Sequence, residues 1–231
     1  MIAVSPAVDV WKACLPGPAA RWAQRSCLHP DEVARAERFH FAGDRARWVA
    51  ARTVLRQIVA DYVDASPEWL RFGYGPQGKP FLLDAPDLQF NLSHTADLLV
   101  VAVARGRPVG VDVEAVATDA VIDLVAPVVL SPPELAMCRP LAGQTRREAF
   151  ARIWTRKEAY IKADGRGLSL PLVHIDVATS EHRVRLRDDA RDAWTACSRW
   201  TLQPVEVAPG YAATVAAEGS DWRSACCEWD G

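Results

Sequence analysis

The chain has 231 residues, 50 % of them apolar and 24 % charged, which is an ordinary globular composition and not a disordered one. Its 27 basic and 29 acidic side chains nearly cancel, so no global field is available to hold a polyanion, and neither nucleic acid nor an acidic membrane surface is expected as a partner. The length suits one large domain or two intimate halves with a real core.

In chain order, MIAVSPAVDVWKACLPG lacks a basic n-region and Asp9 interrupts its apolar run, so it reads as an irregular start and not as a secretion signal. No window approaches bilayer length; the longest strongly apolar run, Leu98 to Ala104, has the length of a strand. The six cysteines (Cys14, Cys27, Cys138, Cys197, Cys226, Cys227) show no paired metal spacing. Reduced thiols and a cytoplasmic location are expected, and zinc is not.

Helices are predicted over Asp31–His40 and Asp44–Tyr62; in the second, Trp48, Ala51, Leu55, Ile58, Val59 and Tyr62 fall on one face. The turn-rich FGYGPQGKP follows, then short strands at Leu88–Leu92, Leu98–Ala104 and Val109–Val113. The turn Arg105–Pro108 divides the chain into halves, 1–107 and 108–231. The second half reads as a helix near Val121–Leu130, a proline-broken segment and a long helix over Gln144–Ala163. Strands are predicted near Val173–Val177, Trp194–Leu202 and Tyr211–Ala217. Helix followed by clustered strands thus occurs twice, and the class is α+β.

Four stretches carry chemistry. In GVDVE, strand alternation puts Asp112 and Glu114 on one face with Val111 and Val113 on the other. Two carboxylates side by side call for a cation such as magnesium, although a wet polar face gives the same pattern. In FNLSHT, Ser93 and His94 point to opposite faces, and no G-x-S-x-G elbow accompanies them. Phosphate contacts fit that pair better than nucleophilic catalysis. Gly78-Lys79-Pro80 presents a lysine from a stiff loop. In WTRKEAYIKADGRG, Glu158 and Lys162 are spaced i,i+4, which by itself is a surface ion pair worth a few tenths of a kcal/mol. Lys157 falls inside the apolar arc made by Phe150, Ile153, Trp154, Tyr160 and Ile161, where a cation needs a partner. DGRGL then offers a helix stop and an amide-rich loop suited to an anion. Arg45, Arg52 and Arg56 share a stripe on the Asp44–Tyr62 helix, either solvated or edging a phosphate cleft.

Taken together and in this order, GKP, FNLSH, GVDVE and WTRKEAYIKADGRGLSLPL resemble the 4′-phosphopantetheinyl transferases, in particular the monomeric surfactin-synthetase-activating type, over roughly residues 38–172. The resemblance implies a pseudo-dimer of two similar α+β halves with coenzyme A in the cleft between them. It implies transfer of the phosphopantetheine arm of coenzyme A to a serine of an apo acyl or peptidyl carrier protein, with release of 3′,5′-adenosine bisphosphate. By the same resemblance Asp112, Glu114 and Glu158 hold magnesium, or manganese in its place. Lys79, Ser93, His94, Arg52 and Arg47 contact coenzyme phosphates, with Arg35 a further candidate. Lys162 touches the pyrophosphate and steadies the leaving group. Glu158 is the expected base, with a magnesium-bound water as the alternative relay.

Overall fold

The computed structural model describes residues 7–15, 27–167, 170–178, 182–188 and 190–230. The first half opens with strand β1 (Ala7–Cys14), helix α1 (Pro30–Ala36) and the long helix α2 (Ala42–Val63). A hairpin, β2 (Phe72–Tyr74) and β3 (Pro80–Leu82), leads into β4 (Leu88–Thr95) and β5 (Leu98–Arg105). The second half contains β6 (Val109–Ala115), α3 (Asp119–Val129), α4 (Pro132–Cys138) and α5 (Gly143–Asp164). It ends with β7 (Ile175–Asp176), β8 (Val184–Asp188), β9 (Ala193–Cys197), β10 (Trp200–Pro204), β11 (Tyr211–Glu218) and β12 (Arg223–Glu228).

The order β12-β1-β5-β4 makes one sheet and β10-β11-β6 a second, with β7-β8-β9 and the β2-β3 hairpin as smaller pieces. The period-two pattern of β5 explains how the layers stack. Leu99, Val101 and Val103 pack under α2 with Val54, Leu55, Ile58 and Val59, while Val100, Ala102 and Ala104 face the second sheet. There they meet Val109, Val111 and Val113 of β6 and Val215 and Ala217 of β11. Each fully buried valine in this layer contributes roughly 1.5–3 kcal/mol relative to exposure. Alternation leaves Gly110, Asp112 and Glu114 on the other face of β6, under α5. A third cluster fills the space behind α5 with Ile122, Phe150, Ile153, Tyr160, Ile175 and Trp200.

The α+β class and both long helices agree with the sequence reading. The differences have physical causes. The first helix stops at Ala36, short of His40. The proline-broken segment holds a real helix, α4, entered through two prolines at its first turn, where a missing N–H does no harm. The single strand read over Trp194–Leu202 is two strands in different sheets, joined at Ser198-Arg199, a turn without the usual glycine, asparagine or proline signal. The irregular start contains β1, which pairs in parallel with β12 from the far end of the chain.

Candidate active site

The close approach of β6 and α5 builds the site. A Cβ on Gly110 would lie 2.2 Å from the Ala159 carbonyl oxygen and 2.3 Å from the Ala163 amide nitrogen. Only glycine against two alanines lets the helix touch the strand this closely. The contact brings Lys162, one turn after Glu158, onto the strand's carboxylates. The Lys162 ammonium donates to Asp112 Oδ1 at 2.7 Å and to Ser93 Oγ at 3.0 Å. The Ser93 hydroxyl in turn donates to Asp112 Oδ1 at 2.8 Å. Behind them Thr155 and Thr214 share a buried hydroxyl contact of 3.1 Å that keeps α5 in register with β11.

Asp112 is buried, and among the described residues its second oxygen, Oδ2, has no hydrogen-bond partner. A buried carboxylate oxygen left over in this way is costly unless something positive completes it. Burial pushes the Glu114 carboxyl up, and the charge of Asp112 pushes it further, against Lys162 and a hydrogen bond from Trp154. Glu158 is raised by burial and then by Asp112, with Lys162 opposing. The donor set is oxygen only and short of positive charge, which fits a hard divalent cation. Among the described residues no three such side chains already converge as a formed metal cluster, and the Lys162 ammonium is the cation in contact with Asp112.

A cavity of about 320 Å³ opens beside this cluster, lined by Arg35, Trp48, Arg52, Tyr74, Ser93, His94 and Lys162 among others. Arg52 is held by the Glu32 carboxylate and by the Tyr74 hydroxyl at 3.0 Å, and lies 4.1 Å over the Phe72 ring. Glu32 also accepts from Arg56 Nε at 2.7 Å. Burial alone would raise the Glu32 carboxyl, but the two guanidiniums more than offset that and hold it low. Of the two guanidiniums that share Glu32, only that of Arg52 lines the cavity. Arg35 lies 5.6 Å from the Trp48 ring and 5.9 Å from that of Tyr74. Burial lowers the His94 pKa, and the Lys162 and Arg47 cations lower it further, so its imidazole is neutral at pH 7. A larger cavity, about 790 Å³, runs between α5 and residues 204–214, but none of the three carboxylates lines it.

Several side chains stand elsewhere than the sequence implied. Arg56 is no cleft residue: it is fully buried, and its guanidinium also donates to the Pro67 and Leu70 carbonyls at 2.6 and 2.9 Å. Arg47 is exposed and paired with Asp44 at 2.5 Å. Arg45 is exposed as well. Lys79 does not line the cavity as Gly78 and Pro80 do. Its ammonium donates to the Val109 and Lys162 carbonyls, each at 2.8 Å. Lys157 has the partner its position demanded, Glu134 at 2.6 Å, and donates to the Val129 and Leu172 carbonyls at 2.7 and 2.8 Å. Leu168 of the DGRGL loop lies outside the described residues. The sequence reading missed Glu32, Asn91, whose Oδ1 accepts from the Val111 amide at 2.9 Å, and the role of Gly110. A glycine opening a strand opposite two alanines four apart on a helix was the available signal for the last.

Arg35, Arg52 and Lys162 line a cavity beside one buried and two half-buried carboxylates on an α+β frame, an arrangement that suits a phosphorylated ligand. Residues 15–106 match the family model described as 4′-phosphopantetheinyl transferase, N-terminal, and residues 108–216 match that of the 4′-phosphopantetheinyl transferase superfamily. The chain is 32 % identical over 225 residues to the 4′-phosphopantetheinyl transferase HetI of Nostoc sp., covering 95 % of this chain and 91 % of the relative. It is 27 % identical over 203 residues to the 4′-phosphopantetheinyl transferase Sfp of Bacillus subtilis, covering 85 % of each. A solved holo-(acyl-carrier-protein) synthase from Bacillus anthracis in complex with CoA overlaps 49 % of this chain and 96 % of its own, at 21 % identity and a TM-score of 0.36. The chain belongs to the 4′-phosphopantetheinyl transferase superfamily.

Proposed function

We propose that the cavity beside Ser93 and Lys162 binds coenzyme A and that Asp112, Glu114 and Glu158 hold the divalent cation of the reaction. The enzyme transfers the phosphopantetheine arm of coenzyme A to a serine hydroxyl of an apo carrier protein. The observation that carries the site assignment is the Lys162 ammonium, which joins Asp112 of β6 to Ser93 of β4 at the edge of the cavity.

In the reaction the serine oxygen forms a bond to the β-phosphorus and the bond from that phosphorus to the bridging oxygen breaks. The leaving group departs as 3′,5′-adenosine bisphosphate. Such a step asks for alignment and charge neutralisation more than covalent help. Magnesium, when bound by Asp112, Glu114 and Glu158, would supply charge neutralisation on the pyrophosphate oxygens. The Lys162 ammonium, with three donors, reaches a phosphate oxygen from the position it holds, and the Ser93 hydroxyl does so by turning its one hydrogen from Asp112 to the ligand. Arg52, Arg35 and His94, which line the cavity, surround the remaining phosphate. Glu158 takes the serine proton; burial and then the Asp112 charge raise its pKa, which makes it a better base than an exposed carboxylate.

Residues of 1–107 line the cavity together with Lys162, and the three carboxylates come from 108–231, so one chain supplies the whole proposed site, which supports action as a monomer. Coenzyme A as substrate and six free cysteines support a cytoplasmic location. Among the described residues no helix is long and apolar enough to cross a membrane. The test is mass spectrometry of apo acyl and peptidyl carriers incubated with the protein, coenzyme A and magnesium. A mass gain equal to the phosphopantetheine arm is expected on a carrier serine, lost on adding EDTA. Turnover that persists in EDTA would remove the metal, and hydrolysis of coenzyme A without any carrier would point to a phosphodiesterase.

A further inference from the structure

Strand β4 closes one edge of its sheet and β6 closes one edge of the other. They run side by side, yet among the described residues no backbone ladder joins them. Residues 109 and 111 of β6 present their peptide groups on the same edge, the one turned away from β11. That edge is satisfied by side chains from the first half. Asn91 Oδ1 of β4 accepts from the Val111 amide at 2.9 Å, and Lys79 Nζ donates to the Val109 carbonyl at 2.8 Å. The same ammonium donates to the carbonyl of Lys162, in the last turn of α5, where the helix has no amide left to offer it.

Lys79 therefore touches both elements of the second half that carry the reacting groups. One partner heads the strand bearing Asp112 and Glu114. The other is the backbone of the residue whose own ammonium lies on Asp112 and Ser93. The loop behind Lys79 is set firmly enough to act as a bracket. Gly75 donates to the Lys79 carbonyl at 2.9 Å, Gly78 donates to the Gly75 carbonyl at 2.9 Å, and Gly78 adopts φ +77°. Gln77 of the same turn lies against Gly167, just beyond α5.

We propose that Lys79 is a positioning residue and not a phosphate ligand: it braces the end of α5 and the start of β6 against the first half, and so sets Lys162 and Asp112 for transfer. The proposal rests on the transferase reading above. A phosphate contact and a brace leave different signatures. Loss of a phosphate contact weakens coenzyme A binding, and the penalty shrinks with an analogue that lacks that phosphate. Loss of a brace spoils the alignment of groups that bind substrate elsewhere, which falls on kcat.

The experiment compares wild type with Lys79→Met, which keeps the stem, and Lys79→Gln, which keeps one donor should the first variant fail to fold. Turnover is measured with a saturating apo carrier, and Kd is measured calorimetrically for coenzyme A and for 3′-dephospho-coenzyme A. The brace predicts kcat down by at least about tenfold. It also predicts Kd within about twofold of wild type for both ligands, and a milder defect for Lys79→Gln. Amide hydrogen exchange over residues 160–166, on ligand-free protein, should accelerate by about tenfold or more in Lys79→Met. That arm needs neither carrier nor turnover, so it separates failure of the brace from failure of the transferase reading. A rise in Kd that disappears with 3′-dephospho-coenzyme A would overturn the proposal, as would unchanged exchange and unchanged kcat.

Discussion

Gly110→Ala should inactivate the enzyme without touching a functional group. The new methyl would sit 2.2 Å from the Ala159 carbonyl oxygen and 2.3 Å from the Ala163 nitrogen, both backbone atoms of α5 with no rotamer to yield. Restoring ordinary contact, which begins at 3.4 Å, requires α5 to retreat by about 1.2 Å. The Lys162–Asp112 contact, now 2.7 Å, would open toward about 4 Å, beyond hydrogen-bond range. Overpacking of this kind costs about 1–3 kcal/mol, or roughly 2–12 °C in Tm for a chain of this size. Misplacement by about 1 Å costs on the order of a hundredfold in rate. The assay pairs a thermal melt with transfer kinetics on an apo carrier. The expected result is a folded protein with kcat down by about two orders of magnitude. Wild-type kcat together with wild-type Tm would show that the strand–helix contact does not set the site.

Glu158→Gln should lower kcat by about 10²–10⁴-fold. Tm should hold or rise, because burial and Asp112 already disfavour the charged carboxylate; a Tm loss in proportion to the rate loss would make Glu158 structural. Lys157→Met strands the buried Glu134 carboxylate and should cost about 3–5 kcal/mol by urea titration, whereas a loss under about 1 kcal/mol would mean the pair is dispensable. Coenzyme A affinity should rise as pH falls from about 8 to about 6. In the free protein His94 lies below its ordinary value and is neutral at pH 7, and a phosphate beside it favours the protonated ring, so binding takes up a proton. His94→Gln should flatten that slope, and an unchanged slope would place His94 away from phosphate.

Much of the site was legible because strand and helix periods are local. Alternation put Asp112 and Glu114 on one face of β6, and the i,i+4 spacing put Glu158 and Lys162 on one face of α5. Both hold in the structure. The apolar arc of α5 showed that Lys157 needed a partner, but Glu134 lies across the fold on another helix and no local rule selects it. The same limit hid the Glu32 carboxylate that binds Arg52 and Arg56. β12 was illegible for a different reason. RSACCE has little β-branched or aromatic content, and it becomes a strand by pairing with β1 from the other end of the chain. AVDVWKAC, by contrast, carries a readable signal, since Val8 and Val10 both turn into the layer between the sheets.

The open edge between β4 and β6 explains why chemistry falls where the halves meet. A continuous ladder would satisfy the Val111 amide and the Val109 carbonyl from the β4 backbone, at about the usual 0.5–1.5 kcal/mol per bond. It would also draw the two strands to about 4.8 Å, the spacing within a sheet. Here side chains from the first half fill that role, so the seam holds without such a ladder. Ser93 then meets Asp112 side chain to side chain, with Lys162 reaching in from α5 between them. A group on one half is thereby coupled to a group on the other through bonds of 2.7–3.0 Å, and any ligand seated on Ser93 is one hydrogen bond from the Asp112 carboxylate.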